Sequence, residues 1–429
     1  SSSNMPVRKR ATKRRSTLTG GVPASVRNSK KQKLILSRPE TPYLKSPGII
    51  LTCGQGDTGQ LGLGPDVVER SRPALVPELD NIIDICAGAM HTICLTESGN
   101  VITFGCNDEG ALGRDTSEEG SETIPGEVDL DGQVIQITAG DSHSAALLED
   151  GKVFAWGSFR DSSGSMGLTS QGIEKKPIEM LPGVVVIKIA SGADHLVMLS
   201  DDGQLYTCGC GEQGQLGRVA ERGASRGGSR QGMTQLLTPA PVTFKPRLKP
   251  EFEDVWAGSY CTFAKEKSKG EIYVFGLNNY NQLGLEEQKV HFHPVVSKVF
   301  SGKQWVLICG GQHHSLALDS EGVIYALGRK EYGRLGLGEN SDDAKKPTPV
   351  TALSDERCID VSCGSTASFA ITNKGEFFAW GMGSTGQLGT GEEDDVYTPQ
   401  QIKSKQLESR SVLRVSGGGQ HTVLLAKSL

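Results

Sequence analysis

The chain has 429 residues, a formal net charge of −5, 36% hydrophobic and 6% aromatic residues, and ten cysteines without a CxxC pair. No apolar run is long enough to cross a bilayer and no secretory leader is apparent, so a membrane protein and a disulfide-stapled secreted scaffold are both disfavoured. A soluble, intracellular protein with buried free thiols is expected, with hydrophobic residues enough for several small cores.

The first segment, 1–47, has no periodic apolar pattern and reads as a disordered tail. Residues 1–45 carry 12 Lys and Arg against one acid, Glu40, which leaves the rest of the chain strongly acidic. Two clusters stand out: Arg8, Lys9, Arg10 with Lys13, Arg14, Arg15, and Lys30, Lys31, Lys33. Such clusters suit nuclear import or non-specific contact with DNA, and composition does not separate the two.

From residue 48 onward one stretch recurs seven times. Its plainest copy is Cys53-Gly54-Gln55-Gly56-Asp57-Thr58-Gly59-Gln60-Leu61-Gly62, and copies start at Gly54, Gly105, Gly157, Gly209, Gly276, Gly328 and Gly381. The steps are 51, 52, 52, 67, 52 and 53 residues, a regularity that marks a repeat architecture. A second series runs in phase with it, through Gly88 to His91, Gly140 to His143, Gly192 to His195, Gly258 to Cys261, Gly310 to His313, Gly364 to Ala367 and Gly418 to His421. The 55 glycines, about twice the usual share, sit at these fixed places and supply turns.

Each repeat reads as four strands, A to D. One copy gives A as Val134 to Ala139, B as Ser144 to Leu148 and C as Lys152 to Trp156, with a tight turn at Glu149-Asp150-Gly151 between B and C. Pro73, Pro125, Pro177, Pro239, Pro294, Pro347 and Pro399 open strand D, and a residue without an N–H belongs on an edge. D is therefore outermost, and glycine-flanked A is innermost. The spacing predicts an all-β, seven-bladed propeller over 48–429. The chain ends on a B strand, Thr422 to Ala426, and begins on a C strand, Ile49 to Cys53. One blade must then combine both ends, which closes the ring.

Strand alternation puts the A–B and C–D loops on one face, where departures from the repeat are informative. Only the third C–D loop is stretched: Ser158-Phe159-Arg160-Asp161-Ser162-Ser163-Gly164-Ser165-Met166 should stand proud of the face. Asp57, Asp141, Asp194, Arg218 and His313 lie in loops of the same face, so the region reads as a protein-docking site. The 67-residue step holds an insert with Arg222, Arg226 and Arg230, whose glycines argue against a stable helix. Its arginines suit an anionic surface of carboxylates or phosphates. The insert is expected to act apart from the stretched loop.

Covalent chemistry is not expected. Histidines sit one per blade around a ring, so they cannot converge on one metal ion, and hydrogen bonding to strand backbone is their expected role. His313 beside His314 is kept as an exception. The glycine motif lacks the Lys-Ser/Thr ending of a phosphate loop. No cofactor is indicated.

The paired motifs at this period, together with Gly140-Asp141-Ser142-His143, Trp156 to Asp161 and Cys210 to Arg218, resemble the regulator of chromosome condensation family over about 48–429. The resemblance implies a guanine nucleotide exchange factor for the GTPase Ran, located in the nucleus on chromatin. The stretched loop (Phe159, Arg160, Asp161, Ser162, Ser163, Gly164) would be a wedge inserted into Ran, with Asp57, Asp141, Asp194, Arg218 and His313 around it. Arg222, Arg226 and Arg230 would meet the histone acidic patch of the nucleosome, and the basic tail would meet DNA and a nuclear import receptor. The alternatives are a chromatin-binding scaffold without exchange activity and a phosphate-ester enzyme built on the ring of histidines.

Overall fold

Seven four-stranded antiparallel sheets stand round a central channel in the computed structural model, which describes Leu36 and residues 47–429, except 227–229 and the side chain of Arg230. The basic clusters of the tail lie outside the described residues. Blades are numbered here by their C–D loops in chain order. Blade 1 is the closing blade: strands 410–417 and 421–428 pair with 49–55 and 69–75. Residues 49–54 lie antiparallel to 421–426, so the last strand of the chain bonds to the first, as the ends of the sequence require.

Strand B is apolar on both faces because a blade covers each of them. His91–Thr96, His143–Leu148 and His195–Ser200 are buried at every position. Strand C buries four of five residues, as in Val153–Gly157, whereas strand D is mostly exposed, as in Glu69–Leu75. The hydrophobic residues form separate clusters between neighbouring blades rather than one core. Trp156 shows the pattern: it is wholly buried and its Nε1–H donates to the Ala111 carbonyl of the preceding blade at 2.9 Å.

The outer prolines have a more specific place than an edge strand. Pro73, Pro177, Pro294, Pro347 and Pro399 lie within the register shifts of their D strands, for example between Glu174 and Ile178. A bulge leaves residues out of the ladder, so the missing N–H costs nothing there. The inner strands need glycine for a different reason. A Cβ on Gly140 would lie 2.1 Å from His143 Cε1 and 2.5 Å from the Gly192 carbonyl of the next blade. Only a bare backbone lets adjacent A–B loops approach this closely.

Candidate functional site on the loop face

Hydrogen bonds fix both loop series to one face. The residue after the C-strand glycine donates its N–H to an A–B loop carbonyl in every blade: Gln55 to Gln420, Cys106 to Met90, Ser158 to Ser142, Cys210 to Asp194, Leu277 to Tyr260, Arg329 to His313 and Met382 to Thr366. Neighbouring A–B loops are also joined to each other, as in Asp141 N–H to Ala193 O at 2.7 Å and Gln312 N–H to Ser365 O at 3.0 Å.

Histidines lock the blades beneath these loops, and side-chain hydroxyls of the next blade meet their rings. Nε2 of His91, His143, His195, His314 and His421 lies 2.8–3.0 Å from a Ser or Thr hydroxyl on the next blade: Ser144, Ser191, Thr262, Ser368 and Thr92. Four of those hydroxyls donate their single proton to a C–D loop carbonyl, at Ala111, Gln215, Arg334 and Gln60. Each of the four must therefore accept from Nε2–H, which sets the tautomer. Burial pushes the His91 pKa down to about 4 and those of His143, His195, His314 and His421 to about 3. The ring histidine of blade 6 is thus His314, which moves the repeat there one residue later than the Gly310-to-His313 reading. His313 is released to the surface of its loop.

The stretched loop is a β-hairpin, with Phe159–Asp161 paired to Gly164–Gly167 and Ser162 and Ser163 exposed at its tip. Phe159 itself is fully buried, 4.7 Å between ring centroids from His143, so it seats the hairpin from beneath and offers no surface to a partner. Three neighbours hold the rest. Asp194 accepts the Arg160 N–H at 2.9 Å. Glu212 accepts both the N–H and the hydroxyl of Ser162, each at 2.6 Å. Arg226 grips Asp161 with Nε, at 2.7 Å, and with Nη2, and it also donates to the carbonyls of Gly164 and Ser165. Arg160 meanwhile pairs with Glu109 on blade 2.

The insert and the hairpin are therefore one unit, contrary to the expectation of independence. The insert is also more ordered than its glycines suggested. Helix α1, Arg230–Leu237, buries Leu236 and Leu237 under blade 4, and this apolar anchorage outweighs the weak local propensity. Arg218 serves the same anchorage: it donates to the carbonyls of Thr207, Leu236 and Thr238 at 3.1–3.2 Å. Arg222 is exposed.

Electrostatics divide the face. Glu109, Asp141, Asp161, Asp194 and Glu212 gather on blades 2 to 4, with Arg160 and Arg226 between them. Burial, then the neighbouring Asp141 charge, pushes the Asp194 carboxyl up to about 8, while the bond and charge of Arg160 oppose the rise. Asp141 keeps an open side at the channel mouth, yet the packing at its base pushes it up to about 6. Asp161 falls below the usual range because its bonds to Arg226 and Ser163 outweigh the partial burial that would raise it. On blades 5 and 6 nitrogen groups sit against aromatic rings: Arg329, paired with Glu331, stacks on Tyr280 at 4.9 Å, His313 meets the same ring at 5.2 Å, and the buried Arg334 lies over Tyr332 at 5.3 Å.

Asp141, Arg160, Asp161, Ser162, Ser163, Gly164 and Asp194 thus come together as expected from their loops. Asp57 is exposed in the C–D loop of blade 1, and His313 packs against Tyr280 in the aromatic sector of blades 5 and 6. Glu109 and Glu212 were missed. Their signal was ring order, since they occupy the C–D loops on either side of the stretched one. Among the described residues no three His, Cys, Asp or Glu side chains converge as a metal site.

Residues 49–424 match the RCC1-like domain, and this profile with the geometry above defines an RCC1-like propeller. The regulators of chromosome condensation of Mus musculus and Homo sapiens are each 51% identical to the chain over 426 residues, covering 98% of this chain and 98% of theirs. The chain belongs to the regulator of chromosome condensation family. A Saccharomyces cerevisiae relative named guanine nucleotide exchange factor SRM1 is 30% identical and covers 89% of this chain and 88% of its own length. The crystal structure of Prp20p from Saccharomyces cerevisiae, described with its binding to Gsp1p and histones, aligns with a TM-score of 0.81 at 28% identity over 94% of each chain. A second structure, of yeast RCC1 (Prp20) with Kap60 bound, gives the same score and identity.

Proposed function

We propose that this protein is a guanine nucleotide exchange factor for a Ran-type GTPase and works while docked on nucleosomes in the nucleus. The observation that carries the reading is the hairpin of blade 3. Among the described residues it is the one C–D loop that folds into a two-stranded hairpin of its own, its tip is exposed, and Asp194, Glu212 and Arg226 hold it ready. A preorganised protrusion avoids the ordering cost that a floppy loop incurs on binding.

Exchange needs no acid, base or nucleophile from this chain. Binding the nucleotide-free GTPase more tightly than the loaded form must, by reciprocity, weaken the nucleotide by the same factor. The hairpin tip, Arg160 to Gly164, would enter the partner near its nucleotide. Asp57 and Asp141 would meet its cationic groups, Asp194 would keep the hairpin seated by accepting the Arg160 N–H, and His313 would extend the contact to the aromatic sector of blades 5 and 6. The nucleotide that rebinds is set by the surrounding concentrations of GTP and GDP.

Chromatin docking would use the insert and the tail. Arg222 is exposed and suits a carboxylate cluster such as the histone acidic patch, and Arg230 opens the helix beside it. Arg226 would first have to leave Asp161. The basic tail would contact DNA through its charge and carry the import signal. The names of the relatives, with the histone, Gsp1p and Kap60 binding described for the yeast protein, support these assignments. Release of labelled GDP from Ran by catalytic amounts of the protein tests the reading. Nucleosome binding with no acceleration of release would favour the scaffold instead.

A further inference from the structure

The central channel carries a feature that the exchange reading does not use. Cys309 is the penultimate residue of the inner strand of blade 6 and Cys363 the last of that of blade 7, and their sulfurs lie 3.4 Å apart. Both side chains are half-buried and line the channel, a cavity of about 200 Å³ walled mainly by Gly, Ala and Ser. The ring bond from Gln312 N–H to Ser365 O, 3.0 Å, joins the two A–B loops directly above them, so the backbones that carry the thiols are already held together. The other eight cysteines are also free thiols, and six of these are buried.

We propose that Cys309 and Cys363 form a dithiol modification site at the channel mouth, which a peroxide closes to a disulfide joining blades 6 and 7. One thiol attacks the peroxide, the O–O bond breaks, one water leaves and a sulfenic acid forms. The second thiol attacks that sulfur, the S–S bond forms and a second water leaves. Two sulfurs are oxidised, the peroxide is reduced, and both thiol protons end in water. Proximity favours the second step, because the resolving sulfur is already in contact. Burial, followed by the bond to Cys309, pushes the Cys363 thiol well above its ordinary value, so Cys363 is a poor first attacker at neutral pH. A reagent that needs two adjacent thiols at once, such as a trivalent arsenical, fits the same place. It bonds both sulfurs through arsenic and releases its oxygen as water with the two thiol protons.

The test uses the intact, folded protein. Hydrogen peroxide is expected to produce a peptide linking Cys309 to Cys363 with loss of two hydrogens, while circular dichroism stays native. One equivalent of phenylarsine oxide should bind, block that link, and be released by ethanedithiol. Cys309→Ser or Cys363→Ser should abolish both results, whereas Cys53→Ser should leave both unchanged. Should the serine variants misfold, peptide mapping of the unaltered protein decides alone. Linkage only after unfolding, linkage of other pairs, or separate maleimide labelling of both thiols in the arsenical-treated protein would each overturn the proposal.

Discussion

Replacing Arg226 with Ala should loosen the hairpin without unfolding the propeller. The side chain makes two charged contacts with Asp161 and two with backbone carbonyls, and the pair is well shielded, with side-chain exposures of 23% for Arg226 and 3% for Asp161. Hydrogen bonds to charged groups contribute about 1.5–3 kcal/mol net. Water can reach Asp161 once the arginine is gone, so a loss of about 2 kcal/mol is reasonable, or roughly a thirtyfold rise in the unseated hairpin. Amide hydrogen exchange reads this directly, because the Ser162 N–H is held by Glu212 and the Ser163 N–H by Asp161. Both should lose protection, GDP release from Ran should slow, and the melting temperature should hold. Arg226→Lys keeps the charge but not the two-pronged grip and should recover only part of the loss. Unchanged protection and unchanged exchange in Arg226→Ala would refute the reasoning.

Three further outcomes are expected. Asp194→Asn should retain most exchange near neutral pH, because the carboxyl is already held protonated there and Asn can still accept the Arg160 N–H, whereas Asp194→Ala should slow it severely; equal loss in both would mean that the negative charge itself is required. Acid should destabilise the ring. The five blade-locking histidines have folded pKa values depressed to about 4 or about 3, so their contribution is full above the unfolded value near 6.5 and is lost as pH falls towards those values. The loss reaches about 2 kcal/mol each at pH 5. Asp141, Asp194 and Asp360 are raised and act in the opposite sense, but they are outnumbered. Urea midpoints that stay flat from pH 6.5 to 4.5 would contradict this. Removing residues 1–45 should flatten the salt dependence of nucleosome binding by roughly 0.9 in log–log slope per lost phosphate contact, and an unchanged slope would remove the tail from the DNA contact.

The ring was legible because its causes are local and repeated. Glycines such as Gly140 permit inner contacts that nothing else permits, and prolines such as Pro177 mark the outer edge, so blade number, strand order and closure all follow from period and residue type. The hairpin was legible as a departure from the loop motif, since Gly157 and Gly164 stand farther apart than the matching glycines of the other copies. Its support was not, because Arg226 is 65 residues from Asp161 and Glu212 is 50 from Ser162, and pairings at that separation carry no local pattern. The histidines were read as structural, but their partners on the next blade could be seen only once adjacent blades were placed. At blade 6 the adjacent His313 and His314 hid the register, and only the bond from Nε2 to Ser368 distinguishes them. The same blindness to packing made α1 look unfavourable: its glycine is a local cost, whereas burial of Leu236 and Leu237 is a tertiary gain.

Deleting Asp161 to Ser163 and measuring labelled-GDP release from Ran tests the central claim most directly. The hairpin is a surface excursion on a ring closed elsewhere, so shortening it should leave the fold and the melting temperature intact. The account predicts fast release with the unaltered protein and release at the intrinsic rate of Ran with the deletion. Full exchange by a folded deletion variant would contradict it.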